Sequence, residues 1–537
     1  MAIEQTTERS TSWTILPELS ARMWNGRVIA TVDDTAGVWR LECRSADVVK
    51  LCEWLARDLG YVFATLVIEE TPGSAWLLTY VFYKDDGPPW VHVELRITSH
   101  DSPVPSISGI VHAADWHERE VEDLFGLIFE GHPRLGEFIL HEDWPEGVNP
   151  MRPGFDARQR VEHRQANAKW EPPTIVMAPG SFAMPIGPVF SDFAESAHFL
   201  LETVGEDVIH TIPRFFYKYR GVEKIAEGQK VDRVLLLAER FSGTAAFAHG
   251  MAFCQAVEAI CGIRVPPRAQ ALRTVFAELE RLRHHAAAIT GICNSTALAV
   301  ATSQAALIEE NLLRLSCEIA QHRYLFGMVI PGGLTRDLSD EDCLHLATAA
   351  GGIAERHREL HQMLRYSSSF LDRLEEVGIV TTENSVSYGL VGPIARASGV
   401  ARDIRKLFPY AGYARVDFTV PVEQEGDGYA RLRILFREAE QSAAIIRDVL
   451  FSPPNGPVCT GRASWCAGAA LAAVEAPLGA AFHWVRLDDE GTVARYRVTP
   501  PSFTNWHAFH LAAENFAFQD FSIILASFGL SNAECDR

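Results

Sequence analysis

The 537-residue chain has ten cysteines but no pair spaced Cys-x-x-Cys. That scatter excludes a zinc knuckle or a self-ligated iron–sulfur cluster of standard spacing, and it reads as core thiols in a reducing compartment. No run of about 18 uninterrupted apolar residues occurs, so no membrane-spanning helix is expected. The opening, Met1 to Trp13, has no basic stretch leading into an apolar one. No secretory signal is therefore expected, and the default location is the cytoplasm. Positive charge is scarce: 49 Lys and Arg stand against 69 Asp and Glu, a net charge of −20. That balance argues against nucleic acid as a partner. Walker A, Gly-x-Gly-x-x-Gly and Gly-x-Ser-x-Gly motifs are also missing, which removes local support for a nucleotide cradle or an esterase elbow.

What is present is ordinary globular material, 47% hydrophobic and 22% charged, in a chain long enough for two to four domains. The first part reads as α+β. Val91, Val93, Leu95 and Ile97 alternate with His92, Glu94 and Arg96, which predicts a half-buried strand entered through Gly87, Pro88 and Pro89. Phe63 to Ile68 and Trp76 to Tyr83 predict neighbouring strands, with Ala46 to Leu59 as a covering helix. From Asn149 to Pro179 the chain turns polar and proline-rich, the composition of a connector. Domains are therefore expected over residues 1–155 and 179–537, with a linker over 156–178.

Beyond the connector, helical periodicity dominates. Pro266 and Pro267 predict a helix start, with Leu272, Val275, Phe276, Leu279 and Leu282 inward as far as Gly291. The apolar stretch Ala286 to Leu307 carries Asn294, Ser295, Thr296 and Gln304, which suits a buried core helix. A helix over Ser303 to Tyr324 is expected to bury Leu312, Leu313, Leu315 and Ile319. Trp484 to Leu487 and Val493 to Val498, flanking Asp488-Asp489-Glu490-Gly491, predict a hairpin. His357 and His361 are spaced i, i+4, but a metalloprotease motif needs glutamate directly after the first histidine, so a solvated helix face is the expectation. His284 and His285, being adjacent, are expected to point to different helix faces.

Longer blocks carry more. Trp116 to Pro133 (WHEREVEDLFGLIFEGHP), with Trp144, Gly147 and Pro150 to Arg152, resembles the smaller peripheral-arm subunit of respiratory complex I. The same segment resembles the amino-terminal part of formate hydrogenlyase large subunits. Later blocks resemble the large subunit shared by complex I and membrane-bound nickel–iron hydrogenases. They are Gly187 to Phe199, Tyr219 to Lys224, Ala248 to Arg273, Pro331 to Asp337, Gly392 to Arg405, Gly426 to Ser442 and Val474 to Gly479. The resemblance implies an α+β fold: a small α+β domain, then a mainly helical hydrogenase-large-subunit-like domain with minor β-hairpins.

In those hydrogenases four cysteine thiolates hold nickel. The matching positions here are Ser242, Ala245, Ser531 and Glu534, none of them cysteine. Nickel with a low-spin iron needs soft anionic sulfur, which a methyl group or a neutral hydroxyl does not supply. The resemblance therefore implies no nickel–iron centre. Cys254 and Cys535 read as structural, and the arginine that overhangs the family's metal site is Leu478. The Ala533 to Arg537 ending resembles that of complex I, which uses the equivalent cavity for a quinone headgroup. Of that quinone site the second loop histidine matches His198, whereas the first is Phe190 and the tyrosine position is Leu236. The loop Phe193 to His198 resembles the hydrogenase version, whose proton-passing glutamate corresponds to Glu195. Glu195, His198, Glu223, Arg240 and His249 are the candidates for a residual proton or quinone cavity.

The resemblance further implies partners: an iron–sulfur small subunit with a 4Fe-4S cluster, and antiporter-like membrane subunits that attach the chain to the inner face of the cell membrane. Two functions follow. One is electron transfer to a quinone or another acceptor, coupled to ion translocation. The other is a non-redox structural role, in which the chain caps the antiporter-like module.

Overall fold

The computed structural model describes residues 27–33, 37–71, 73–100, 102–158, 160–164, 174–189, 195–461 and 464–537. The fold is α+β, and its contacts divide the chain into two units, Met1–Asn167 and Ala168–Arg537.

The first unit is built on one five-stranded sheet of β1 (Ile29–Asp33), β2 (Val38–Cys43), β3 (Val62–Thr71), β4 (Ser74–Lys84) and β5 (Gly87–Ile97). Their spatial order is β1-β2-β5-β4-β3. Only β2 and β5 pair in parallel; the other neighbours are antiparallel. The predicted helix over Ala46 to Leu59 is present as a 3-10 turn, an α segment Val48–Glu53 and a π turn Trp54–Asp58. It buries Val48, Leu51, Cys52 and Leu55 completely. The alternation along β5 misleads at two residues, because His92 and Glu94 are buried while Arg96 is exposed. The strand is central, and Arg40 on β2 reaches Glu94 at 2.9 Å, so the charge is met inside the sheet. Burial pushes His92 down to about 3, which leaves its ring neutral.

The helix Asp115–Phe125 carries the sequence-predicted block and places Glu118 at 0% exposure. Its carboxylate accepts from Ser106 Oγ at 2.5 Å and from the Ile107 amide at 2.9 Å. Burial nevertheless raises its pKa to about 7. The folded state thus holds a proton that the unfolded chain releases near its ordinary value. The associated stability is full at acid pH and is lost as pH rises through about 7. Urea midpoints at pH 5 and pH 8 should therefore differ for this unit, by up to about 3 kcal/mol, and Glu118→Gln should flatten that difference. An unchanged pH slope in Glu118→Gln would show that the carboxyl does not set it.

The second unit has a helical core. The Pro267–Ser295 helix packs against helices Ala299–Ala320 and Gly428–Phe451, and the latter also packs on Asp340–Arg365. Leu272, Val275, Phe276, Leu279 and Leu282 are all fully buried, as the periodicity predicts. The helix continues past Gly291 to Ser295, because a single glycine costs a helix only about 1 kcal/mol. The apolar stretch Ala286 to Leu307 is not one helix. Ser295 and Thr296 hydroxyls donate to the carbonyls of Ile292 and Cys293, and Ala297 takes φ +61°, which ends the first helix. The next therefore runs four residues earlier than expected, Ala299–Ala320, with Leu312, Leu313, Leu315 and Ile319 buried.

The predicted hairpin is present as Gly479–Leu487 and Val493–Thr499, joined by Gly468–Ala476 into a three-stranded antiparallel sheet. The Ala246–Cys261 helix lies on this sheet. The His357/His361 pair is not a solvated face. His357 is 1% exposed against Phe436, and His361 stacks on the same ring at 4.5 Å and 7°. Likewise, His284 and His285 turn toward each other, with their Nδ1 atoms 3.3 Å apart.

Candidate functional site

Three elements converge on Ser242, Ala245, Ser531 and Glu534, the positions that the motif resemblance pairs with the hydrogenases' nickel ligands. Arg240 ends the helix Val231–Arg240, and the following loop carries Ser242 and Thr244 to Ala245, where the Ala246–Cys261 helix starts. The short helix Asn532–Cys535 supplies Ser531 at its cap and Glu534 within it. Ser502, in the Pro501–Trp506 helix, closes the third side.

Glu534 is the hub. It is completely buried, and its Oε1 accepts from Ser242 Oγ at 3.2 Å and Thr244 Oγ1 at 3.3 Å. His249 Nε2 lies 3.4 Å from the same oxygen, and Oε2 accepts from the Ser502 amide at 3.2 Å. Burial alone would raise the Glu534 carboxyl. The bonds from His249 and Ser502 outweigh it and hold the group below the usual carboxylate range. Ser531 Oγ accepts from the Glu534 amide at 3.3 Å and donates to Glu195 at 3.0 Å. Ala245 is fully buried, and its carbonyl accepts from the His249 amide at 3.0 Å.

Of the candidates, Glu195 and His249 meet these positions through Ser531 and Glu534. Glu195 also accepts from the Asn532 and Ala533 amides. Glu223 sits instead in an ion cluster with Arg495 at 3.0 Å, Arg497 at 3.3 Å and Arg537 at 3.4 Å. Burial disfavours its charge, but Arg497, Arg495 and Arg537 hold its pKa down to about 2. His198 opens the strand His198–Val204 opposite Arg214, and burial with that arginine lowers its pKa. Arg240 is exposed and lies over the Phe326 ring at 5.6 Å. Phe190 and the start of the Phe193 loop lie outside the described residues; Leu236 is half-buried.

Leu478 is 3% exposed and lines a small cavity with Arg431, His284, Ser527 and Phe528, with room for about one water. Cys254 and Cys535 are fully buried, and burial pushes both thiols well above their ordinary value, so neither offers a thiolate. Among the described residues no group of three or more His, Cys, Asp or Glu is arranged to hold a metal ion. No described helix is long and apolar enough to cross a membrane.

Sequence reasoning missed Thr244, Ser502, His483 and Tyr496. His483 Nε2 lies 3.0 Å from His249 Nδ1, and Tyr496 Oη lies 2.9 Å from His483 Nδ1. The legible signal was a histidine inside the apolar strand run Ala480 to Val485, where a ring needs a buried partner.

Family models match along the chain. Residues 41–161 match the respiratory-chain NADH dehydrogenase 30 Kd subunit, residues 220–288 match nickel-dependent hydrogenase, and residues 301–466 and 459–537 match the respiratory-chain NADH dehydrogenase 49 Kd subunit. Formate hydrogenlyase subunit 5 of Escherichia coli (strain K12) is 30% identical over 82% of this chain and 78% of its own length. Hydrogenase-4 component G of the same strain is 29% identical over 82% and 76%. The C/D subunit of NADH-quinone oxidoreductase from Acinetobacter baumannii (strain AYE) is 27% identical over 98% and 97%. The chain belongs to the family of large subunits shared by respiratory-chain NADH dehydrogenases and nickel-dependent hydrogenases, with a 30 Kd-type domain ahead of it.

Proposed function

We propose that this chain is the peripheral-arm large subunit of a complex-I-like, hydrogenase-4-like membrane oxidoreductase whose nickel centre has been lost. Electrons reach it from a 4Fe-4S cluster on a partner small subunit and pass to a quinone or another small acceptor. Antiporter-like membrane subunits couple that transfer to ion movement. The observation that carries this reading is Glu534, whose carboxylate is bonded to Ser242, Thr244 and Ser502, where the family's thiolates would face a metal. A hard carboxylate already engaged by hydroxyls and a backbone amide is a poor home for nickel.

Nickel and iron per mole, measured on the complex purified through a tag on this chain, test it. Iron in cluster-like amounts without nickel is expected; stoichiometric nickel would overturn the proposal. Glu195→Ala and His198→Ala should abolish turnover while the complex still assembles, and unchanged activity in both would favour the non-redox capping role. Restoring cysteine at Ser242, Ala245, Ser531 and Glu534 together should not produce hydrogenase activity, because the arginine over the site remains Leu478.

A further inference from the structure

We propose that Cys261 and Cys466 form an oxidant-sensitive pair, closed to a disulfide by a peroxide, which clamps segment 458–460 onto the turn at Gly332 and Gly333. All ten cysteines are free thiols, and six of them are buried. Of the rest, Cys317 is exposed and Cys261, Cys459 and Cys466 are half-buried. Among these, Cys261 and Cys466 meet: the Cys261 thiol lies within hydrogen-bond reach of both the amide and the thiol of Cys466. Side chains already in contact need little backbone movement to bond, because a disulfide asks only that the two Cα atoms come within about 7 Å.

The meeting is made by tertiary packing. Cys261 is the last residue of the Ala246–Cys261 helix, which Gly262 ends with φ +63°. That helix packs on the strand Gly468–Ala476, so closely that a Cβ on Gly468 would stand 3.1 Å from Ile260 Cγ2. Just ahead of the strand, Cys466 is held from both sides. Trp465 lies against Gly491, where a Cβ would stand 2.5 Å from the indole ring, and the Ala467 amide donates to Asp489 Oδ1 at 3.2 Å. Both thiols are therefore positioned before they react, and closing the bond costs little further ordering. Cys459 is engaged elsewhere: its backbone pairs with Gly333, and its sulfur is within electrostatic reach of Arg273.

Burial raises the Cys261 thiol above its ordinary value, so the pair rests as thiols until an oxidant arrives. Hydrogen peroxide supplies the two-electron oxidation. One sulfur, as thiolate, attacks a peroxide oxygen; the O–O bond breaks, the leaving oxygen takes protons and departs as water, and a sulfenic acid remains. The second sulfur attacks that sulfenic acid, so the S–O bond breaks, the S–S bond forms and a second water leaves. Two thiols are oxidised and one peroxide is reduced to two waters; a thiol reductant reverses the change. The new bond ties the helix end to the entry of the strand, and segment 458–460 lies on the chain between them. Its Thr460 hydroxyl donates to the Arg264 carbonyl at 2.7 Å, just past Cys261, and its amide donates to the Gly332 carbonyl at 3.0 Å. The Leu334 amide donates back to the Val458 carbonyl at 2.8 Å. Oxidation shortens the free chain behind these bonds and makes their opening rarer.

The full chain in its purified complex, treated with hydrogen peroxide and digested without reductant, tests the pair by mass spectrometry of its peptides. A peptide joining Cys261 to Cys466, lighter than its two parts by two hydrogens, should form and should vanish on adding a thiol reductant. It should be lost in Cys261→Ser and in Cys466→Ser and kept in Cys459→Ser. Hydrogen exchange at the Leu334 and Thr460 amides should slow at least about threefold in the oxidised protein and recover on reduction. No joined peptide at a peroxide dose that oxidises the exposed Cys317, or a bond from Cys261 to Cys459 instead, would overturn the pair. A joined peptide with unchanged exchange at both amides would overturn the clamp.

Discussion

Arg396→Met should be one of the two most damaging single changes in the second unit, costing about 3–5 kcal/mol of stability. Arg396 is completely buried, and its guanidinium donates to Glu438 at 2.6 Å, to Glu475 at 2.8 Å and to the Arg402 carbonyl at 2.9 Å. Asp403, 3.6 Å away, is shared with Arg405, which also reaches Glu278 at 2.9 Å. Removing the cation leaves Glu438 and Glu475 buried with no guanidinium between them. Burial and the Asp403 charge already raise Glu475, so its charge depends most on Arg396. The loss should appear as a lower urea midpoint, and adding Glu475→Gln should recover part of it, the signature of a coupled pair. An unchanged midpoint in Arg396→Met would mean that the network is dispensable.

The second large effect is steric. Gly392 has φ +69°, and a Cβ there would stand 2.1 Å from the Leu478 carbonyl oxygen. Across the contact, a Cβ on Gly479 would stand 2.7 Å from the Gly392 amide nitrogen. Two backbones touch here, one opening the Gly392–Ala397 helix and the other entering the strand that carries His483. Gly392→Ala should cost roughly 3–5 kcal/mol, the sum of left-handed strain and overpacking. Gly205 has a similar φ of +66° but nothing within 4 Å, so Gly205→Ala should cost only about 1–2 kcal/mol. Equal urea midpoints for the two variants would refute the contact argument.

Local pattern made much of this fold legible. Leu272 to Leu282 announce their helix by spacing, and the Asp488 to Gly491 turn announces its hairpin by turn chemistry: Asp488 accepts from the Glu490 and Thr492 amides. Where the pattern misled, a nearby group had changed the local balance. Arg40 made it possible to bury Glu94, and the hydroxyls of Ser295 and Thr296 ended a helix that apolar composition alone would have continued. The candidate site was legible only in part. Its positions could be read from motifs, because a motif preserves spacing along the chain. Glu534 as a hub could not, because Ser242 lies 292 residues from it and His483 lies 234 from His249.

The sequence by itself determined the family and the order of the 30 Kd-type and 49 Kd-type parts along the chain. These are matters of residue type and local spacing. Only the tertiary structure decided that Glu195 and His249 join through Ser531 and Glu534, while Glu223 is held among three arginines and Arg240 faces outward. The physical reason is that a buried charge goes wherever packing brings it a partner, and packing depends on elements hundreds of residues apart.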